Sequence, residues 1–227
     1  MKLSGEKMEH RSMKSILEQA IKKSKKEQTI NWNYPRLKRM VSGEFVDYME
    51  NRKIENQGNK RCHGYFSLLH NIVQNLGDNS LIVELGNREG LSTISIMDAL
   101  RNDGQFISFD IIKDLRFFPP ELWSDKRFTS IQCDVGDHFA VETHMKSNTD
   151  RTIDLLFCDT IHTYDQVRNE FDVFEEYLSP SAIVLVDDIH NNDKYRFHEE
   201  WVGDKYDVTD PMHYPTGFGA YVYQEDS

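Results

Sequence analysis

The stretch Leu81-Ile-Val-Glu-Leu-Gly-Asn-Arg-Glu-Gly-Leu-Ser-Thr93 constrains the fold more than any other part of the chain. An apolar run is cut by a glycine, and a second glycine precedes a run with helix-forming character. The pattern predicts a buried strand, a tight turn and the start of a helix. Glu84 closes the strand, Gly86 opens the turn and Gly90 begins the helix. Glycines let the backbone come close to a ligand, and a helix N-terminus offers unpaired N–H groups to it. The order Glu-x-Gly-x-x-x-Gly departs from the dinucleotide fingerprint Gly-x-Gly-x-x-Gly, because position 88 is Arg.

On either side of this turn the apolar spacing changes period repeatedly. Helices are expected over 11–26, 63–76, 90–101, 136–146, 164–178 and 192–202. Strands are expected over 81–85, 105–110, 128–133, 153–159 and 182–187, with 206–209 and 219–223 pairing as an antiparallel hairpin around Pro211 and Pro215. A short helix is placed near Arg36–Tyr48. Strands alternating with helices imply an α/β fold with a mostly parallel seven-stranded sheet and helices on both faces. The length of 227 residues suits one such domain, 61–227, with an N-terminal helical extension, 1–60, as a lid or an oligomer contact. Trp32, Tyr34, Phe45 and Tyr48 in that extension either stack on a ligand ring or form a small satellite core.

The formal net charge is −11, which disfavours nucleic acid and anionic membrane as partners. Residues 1–40 run the other way, with 11 Lys/Arg against 4 Asp/Glu, and are read as a solvated basic helix and loop. The N-terminus shows no apolar signal segment, and no apolar run is long enough to span a bilayer, so a cytoplasmic protein is expected. Cys62, Cys133 and Cys158 form no metal or disulfide spacing and fit a reducing compartment.

Ligands of parallel α/β sheets bind at the carboxyl ends of the strands. Here the strands end in acids. Asp110 closes the second, where a carboxylate can accept from a ribose diol or cap the next turn. Asp134 follows the third, facing a ligand or capping the next helix. Asp159 closes the fourth, with His162 three residues on. Asp187 and Asp188 close the fifth, followed by His190. Three carboxylates converging on one point repel one another unless a cation is present. All-oxygen ligation suits Mg²⁺, with Mn²⁺ or Ca²⁺ as substitutes. The other reading gives Asp159 to a cofactor or substrate and the acidic pair to a helix cap.

The glycine turn resembles the first motif of class I S-adenosylmethionine (SAM) dependent methyltransferases, which implies a Rossmann-like fold. The likeness narrows at Asp159, His162 and the acidic pair 28 and 29 positions later, which look like the metal-dependent O-methyltransferases. Catechol O-methyltransferase has Asp-Asn where this chain has Asp187-Asp188, and Lys in place of His162. The macrolide-sugar and cephalosporin-biosynthesis methyltransferases are nearer in wording. The resemblance covers roughly residues 62–224. It implies that Glu84, Gly86, Asn87, Gly90, Ser92, Asp110, Asp134 and Asp159 bind SAM, that Asp159, Asp187 and Asp188 bind Mg²⁺, and that His162 is the general base.

The expected activity is methyl transfer from SAM to a hydroxyl of a small molecule: a sugar, a natural product or a catechol. The competing readings are a metal-free N- or C-methyltransferase and a SAM-binding protein without turnover. A homo-oligomer is a further expectation.

Overall fold

A period of two along each strand explains how the sheet is covered. In β1 (Leu81–Leu85) the side chains of Leu81, Val83 and Leu85 enter one apolar cluster and Ile82 enters another. Phe106 in β2 (Gln105–Asp110) and Leu155 and Phe157 in β4 (Ile153–Cys158) join Ile82. Ile107, Phe109 and Leu156 join Val83. Both faces are thus apolar, as a sheet between two helix layers requires. The computed structural model describes residues 12–26, 64–88, 90–113, 120–209 and 216–225.

The remaining elements are α1 (Met13–Lys26), α2 (Gly64–Asn75), α3 (Leu91–Ala99), β3 (Phe128–Gln132), α4 (His138–Asn148), α5 (Tyr164–Phe174), β5 (Leu178–Asp187), α6 (Tyr195–Glu200), β6 (Lys205–Asp207) and β7 (Phe218–Val222). The sheet has seven strands in the order β3-β2-β1-β4-β5-β7-β6. The first five are parallel, and β7 pairs antiparallel with both β5 and β6. Helices α1, α2 and α3 supply one core cluster, and α4, α5 and α6 supply the other. The α/β architecture read from the sequence is therefore present, including the antiparallel C-terminal pair.

Helix α1 buries Ile16, Leu17, Ala20 and Ile21 in the same cluster as α2 and the sheet. Lys14 also pairs with Asp204, and the Tyr206 hydroxyl donates to Glu18. The expected helix near Arg36–Tyr48, the aromatic group around it and Cys62 lie outside the described residues. So do Pro211 and Pro215.

Element boundaries moved where turn chemistry outweighed periodicity. Helix α5 ends at Phe174 rather than at 178, and a short 3₁₀ turn over Glu175–Tyr177 leads into a strand that starts at Leu178 rather than 182. Pro180 is tolerated there because the β4–β5 register slips between Ile153 and Leu155, and the slack falls on exposed residues. Helix α6 is shorter than the expected 192–202, because residues 191–194 form a turn whose side chains serve the neighbouring loop. Among the described residues, no helix is long and apolar enough to cross a membrane.

Candidate active site

The strand order places Asp134, Asp110, Glu84, Asp159 and Asp187 in that sequence along the carboxyl edge of the sheet. Adjacent strands lie about 5 Å apart, so these groups form one line. The glycine turn sits at its middle. Gly86 has φ +84°, and a Cβ there would lie 2.0 Å from the Asp159 carbonyl oxygen. Only glycine lets the turn close against the end of β4. Gly86 N–H donates to Phe109 O at 2.8 Å, and Asp159 N–H donates to Leu85 O at 2.8 Å, so the turn is fixed to both neighbouring strands. Gly90, with φ +90°, stands at the N-cap of α3, where no side chain caps the free N–H groups.

Glu84 points into the helix layer containing α3, as its parity with Ile82 requires. Its Oε2 accepts from Thr93 Oγ1 and Ser108 Oγ, each at 2.7 Å. Its Oε1 is buried and has no hydrogen-bond partner. Burial raises the carboxyl to about 7, against the opposing hydroxyls of Ser92, Ser108 and Thr93. The chain continues to Asn87, whose Nδ2 donates to Ser108 Oγ at 2.8 Å.

A raised folded-state carboxyl pKa has a definite sign. Its stability contribution is present below the ordinary value of 4.5 and is lost as pH climbs to about 7. In the ligand-free protein the loss is on the order of 3 kcal/mol. Glu84→Gln is expected to abolish that part of the pH dependence. Thermal melts from pH 4.5 to 8 should show a smaller fall than in wild type, and an unchanged fall would contradict the burial of a titrating Glu84.

Asp110 does more than the sequence suggested. Its Oδ2 accepts the backbone N–H groups of Asn87 and Arg88, both at 2.8 Å, and its Oδ1 accepts from Ile112 N–H at 2.8 Å. It ties β2 to the glycine turn and also holds its own loop. Asp134 is exposed, and its Oδ1 accepts from Gly136 N–H at 2.9 Å. The cap of α4 is Asp137, which accepts from Ala140 N–H at 3.1 Å. The capping role weighed for Asp134 thus belongs to its neighbour.

Asp159 and Asp187 follow the paired residues Cys158 and Val186, so they stand side by side at the ends of β4 and β5. Burial raises both carboxyls. For Asp187 the charges of Asp159 and Asp188 add to it, so the two carboxyls titrate as a pair. Asp188, at φ +56°, turns its side chain to His162, with Nε2 3.1 Å from Oδ2. Asp188 Oδ1 and His162 Nδ1 are buried without hydrogen-bond partners. The structure brings all four predicted groups together. Asp188 is turned to His162, however, and among the described residues no three donors are arranged to enclose a metal ion. His190 faces away, with Nε2 on Asp207 at 3.0 Å and its ring stacked on Tyr195.

Several neighbours of the site escaped the sequence reading. Glu170 and Lys194 are fully buried, and the charges of Lys194 and Asp159 both act on Glu170. Glu170 carried a signal, an acid on the apolar stripe of α5 beside Val167, Phe171 and Phe174. Lys194 carried none. Ile111 and Ile161 are large apolar side chains left exposed, at 63% and 65%, beside Asp110 and His162 respectively. An isolated exposed isoleucine has no sequence signature.

No curated protein matches this chain. Among solved structures it is similar to the O-methyltransferase from Bacillus cereus in complex with SAH (14% identity, 92% of this chain and 91% of that one, TM-score 0.55). It is also similar to the O-methyltransferase TomG from Streptomyces achromogenes in complex with SAM (17% identity, 72% and 81%, TM-score 0.51). The MycE methyltransferase of the mycinamycin pathway is a more distant match (16% identity, TM-score 0.40), covering 49% of this chain, and the chain spans only 28% of its length. At these identities the first two likenesses show the fold. The sequence itself matches, over residues 83–189, the model of a family described as a methyltransferase domain. That span, 107 of the 227 residues, runs from the glycine strand through the acidic pair, and it supports a class I SAM-dependent methyltransferase.

Proposed function

We propose that the enzyme moves the SAM methyl group onto a hydroxyl of a small acceptor, with a divalent cation, Mg²⁺ first, held by Asp159, Asp187 and Asp188. The observation that carries this reading is the gathering of three carboxylates and one imidazole against the glycine turn, at the point reached by Gly86. The donor chemistry fits a hard cation: the oxygens are anionic and crowded, and Asp188 Oδ1 has no hydrogen-bond partner. What the cation supplies when bound is Lewis acidity toward a hydroxyl and a fixed place for it.

The other residues act directly on cofactor and acceptor. Asp110 Oδ2 is filled by two N–H groups, while Oδ1 keeps a lone pair for a ribose hydroxyl beyond the one N–H it holds. Asp134 is exposed for the adenine amino group, and Ile111 offers the purine an apolar face. Glu84 and Asn87 set the floor beneath the amino-acid half of SAM. His162 is the base: its Nδ1 is covered, so the acceptor's proton would go to Nε2, freed from Asp188 Oδ2 when that carboxylate turns to the cation. Ile161 beside it favours an acceptor with an apolar body. Transfer then depends on alignment of oxygen, methyl and sulfur.

The test is a panel of hydroxylated acceptors and their amine counterparts, with methyl-labelled SAM and chelator-treated enzyme. The expected result is label on oxygen, lost with chelator and restored by Mg²⁺. Label on nitrogen or carbon that ignores the chelator would favour the metal-free reading.

A further inference from the structure

Lys194 is wholly buried, yet it lies on a loop at the rim of the active site. Its Nζ is closed to solvent and has no hydrogen-bond partner. The buried Glu170 on α5 also has an unpartnered oxygen, Oε2, while its Oε1 accepts from Thr160 and from Gln166 Nε2 at 2.8 Å. The Lys194 charge acts on Glu170, Asp159 and Asp187 alike, lowering the proton affinity that burial raises in each. A buried ammonium among carboxylates contributes little net stability over an apolar side chain of the same size. Something other than stability is served by keeping it.

The loop that carries it supplies the reason. Residues 188–194 are stitched to residues 159–164 along their length. Asp188 meets His162 at 3.1 Å. Asn192 Nδ2 donates to the His162 carbonyl at 2.8 Å, and Asp193 Oδ1 accepts from Tyr164 N–H at 3.0 Å. Asp188 and Asn192 both hold positive φ, so the loop has two residues in a conformation that its own backbone does not favour. Ile189 anchors its start in the core, with Ile189 and His190 N–H donating to Gly217 and Thr216, and the wholly buried Lys194 anchors its end.

We propose that Lys194 is a positioning residue: its buried ammonium, between Glu170 and the Asp159 end of β4, locks the 188–194 loop onto the 159–164 loop and so fixes His162 opposite Asp188. The inference rests on the reading of His162 as the base, but its structural content can be measured without turnover.

The experiment uses Lys194→Met, together with Lys194→Met/Glu170→Gln, which leaves no lone buried charge between these two positions, and Lys194→Arg. Three quantities are read: the melting temperature, SAM affinity by calorimetry, and the ring signal of His162 in ¹³C-histidine-labelled protein, assigned by a His162→Gln control. In the folded double variant SAM affinity should stay within about twofold of wild type, since the glycine turn is untouched. The His162 signal should broaden or split, and Lys194→Arg should restore it in part. If an acceptor is in hand, kcat should fall tenfold or more at unchanged KM for SAM. A folded double variant with a wild-type His162 signal would overturn the proposal. Should wild type methylate no hydroxyl while the His162 signal still depends on Lys194, the positioning stands and the base role fails.

Discussion

Gly86→Ala is expected to lower SAM affinity by a factor on the order of 100 or more and to lower the melting temperature as well. Two separate costs fall on the substitution. The backbone sits at φ +84°, where an L side chain is strained by about 1–3 kcal/mol. The new Cβ would also stand 2.0 Å from the Asp159 carbonyl oxygen and 2.7 Å from its carbon, both backbone atoms that cannot swing aside. The turn must therefore lift from β4, and with it the hydrogen bonds from Gly86 N–H to Phe109 and from Asp159 N–H to Leu85 are disturbed. Gly77→Ala is the control, since nothing lies within 4 Å of a Cβ there and its φ is not positive. Calorimetry and a thermal melt on both variants decide it. A Gly86→Ala protein that binds SAM like wild type would contradict the close approach of turn and strand.

Asp187→Asn is expected to move activity and stability in opposite directions. Burial and the charges of Asp159 and Asp188 raise the Asp187 carboxyl well above its ordinary 3.8. A raised carboxyl stabilises the fold below that value and loses the contribution as pH rises through its folded pKa. An amide cannot ionise, and its N–H can donate to a neighbouring carboxylate. The ligand-free variant should therefore gain in melting temperature relative to wild type as pH rises above 3.8. Turnover should fall by on the order of 100-fold or more, because a neutral amide is a poor ligand for a hard cation. Asp188→Asn should lose turnover similarly, and SAM affinity should change little in either. A variant that is both stabler and fully active would show that the acidic pair is not catalytic machinery.

These two sites differ in how far the sequence announced them. The glycine turn was legible because φ > 0 and close backbone approach leave a chemical mark, glycine itself. The strand-end acids were legible once the strands were placed, because the parity of a parallel sheet brings Asp159 beside Asp187. Their pairing was not. That Asp188 turns to His162 follows from its positive φ, which an aspartate tolerates but does not announce. Asp134 and Asp137 show the same limit, since either could cap α4 and only the path of the loop decides. The end of α5 and the start of β5 were misplaced because Pro180 reads as a break, whereas a register slip lets it sit within the strand. Lys194 was invisible because a lysine in a polar loop looks solvated until the loop is seen to fold inward.

The most direct measurement is ¹³C relaxation of methyl-labelled SAM bound to the enzyme, with Mn²⁺ in place of Mg²⁺, on wild type and on Asp159→Ala. Paramagnetic relaxation falls with the sixth power of distance, so it reports whether cation and methyl share one site. Strong relaxation of the methyl signal in wild type, lost in Asp159→Ala while SAM remains bound, is the expected result. Bound SAM whose methyl carbon relaxes at the same rate with and without Mn²⁺ in wild type would contradict a shared site at the ends of β1, β4 and β5.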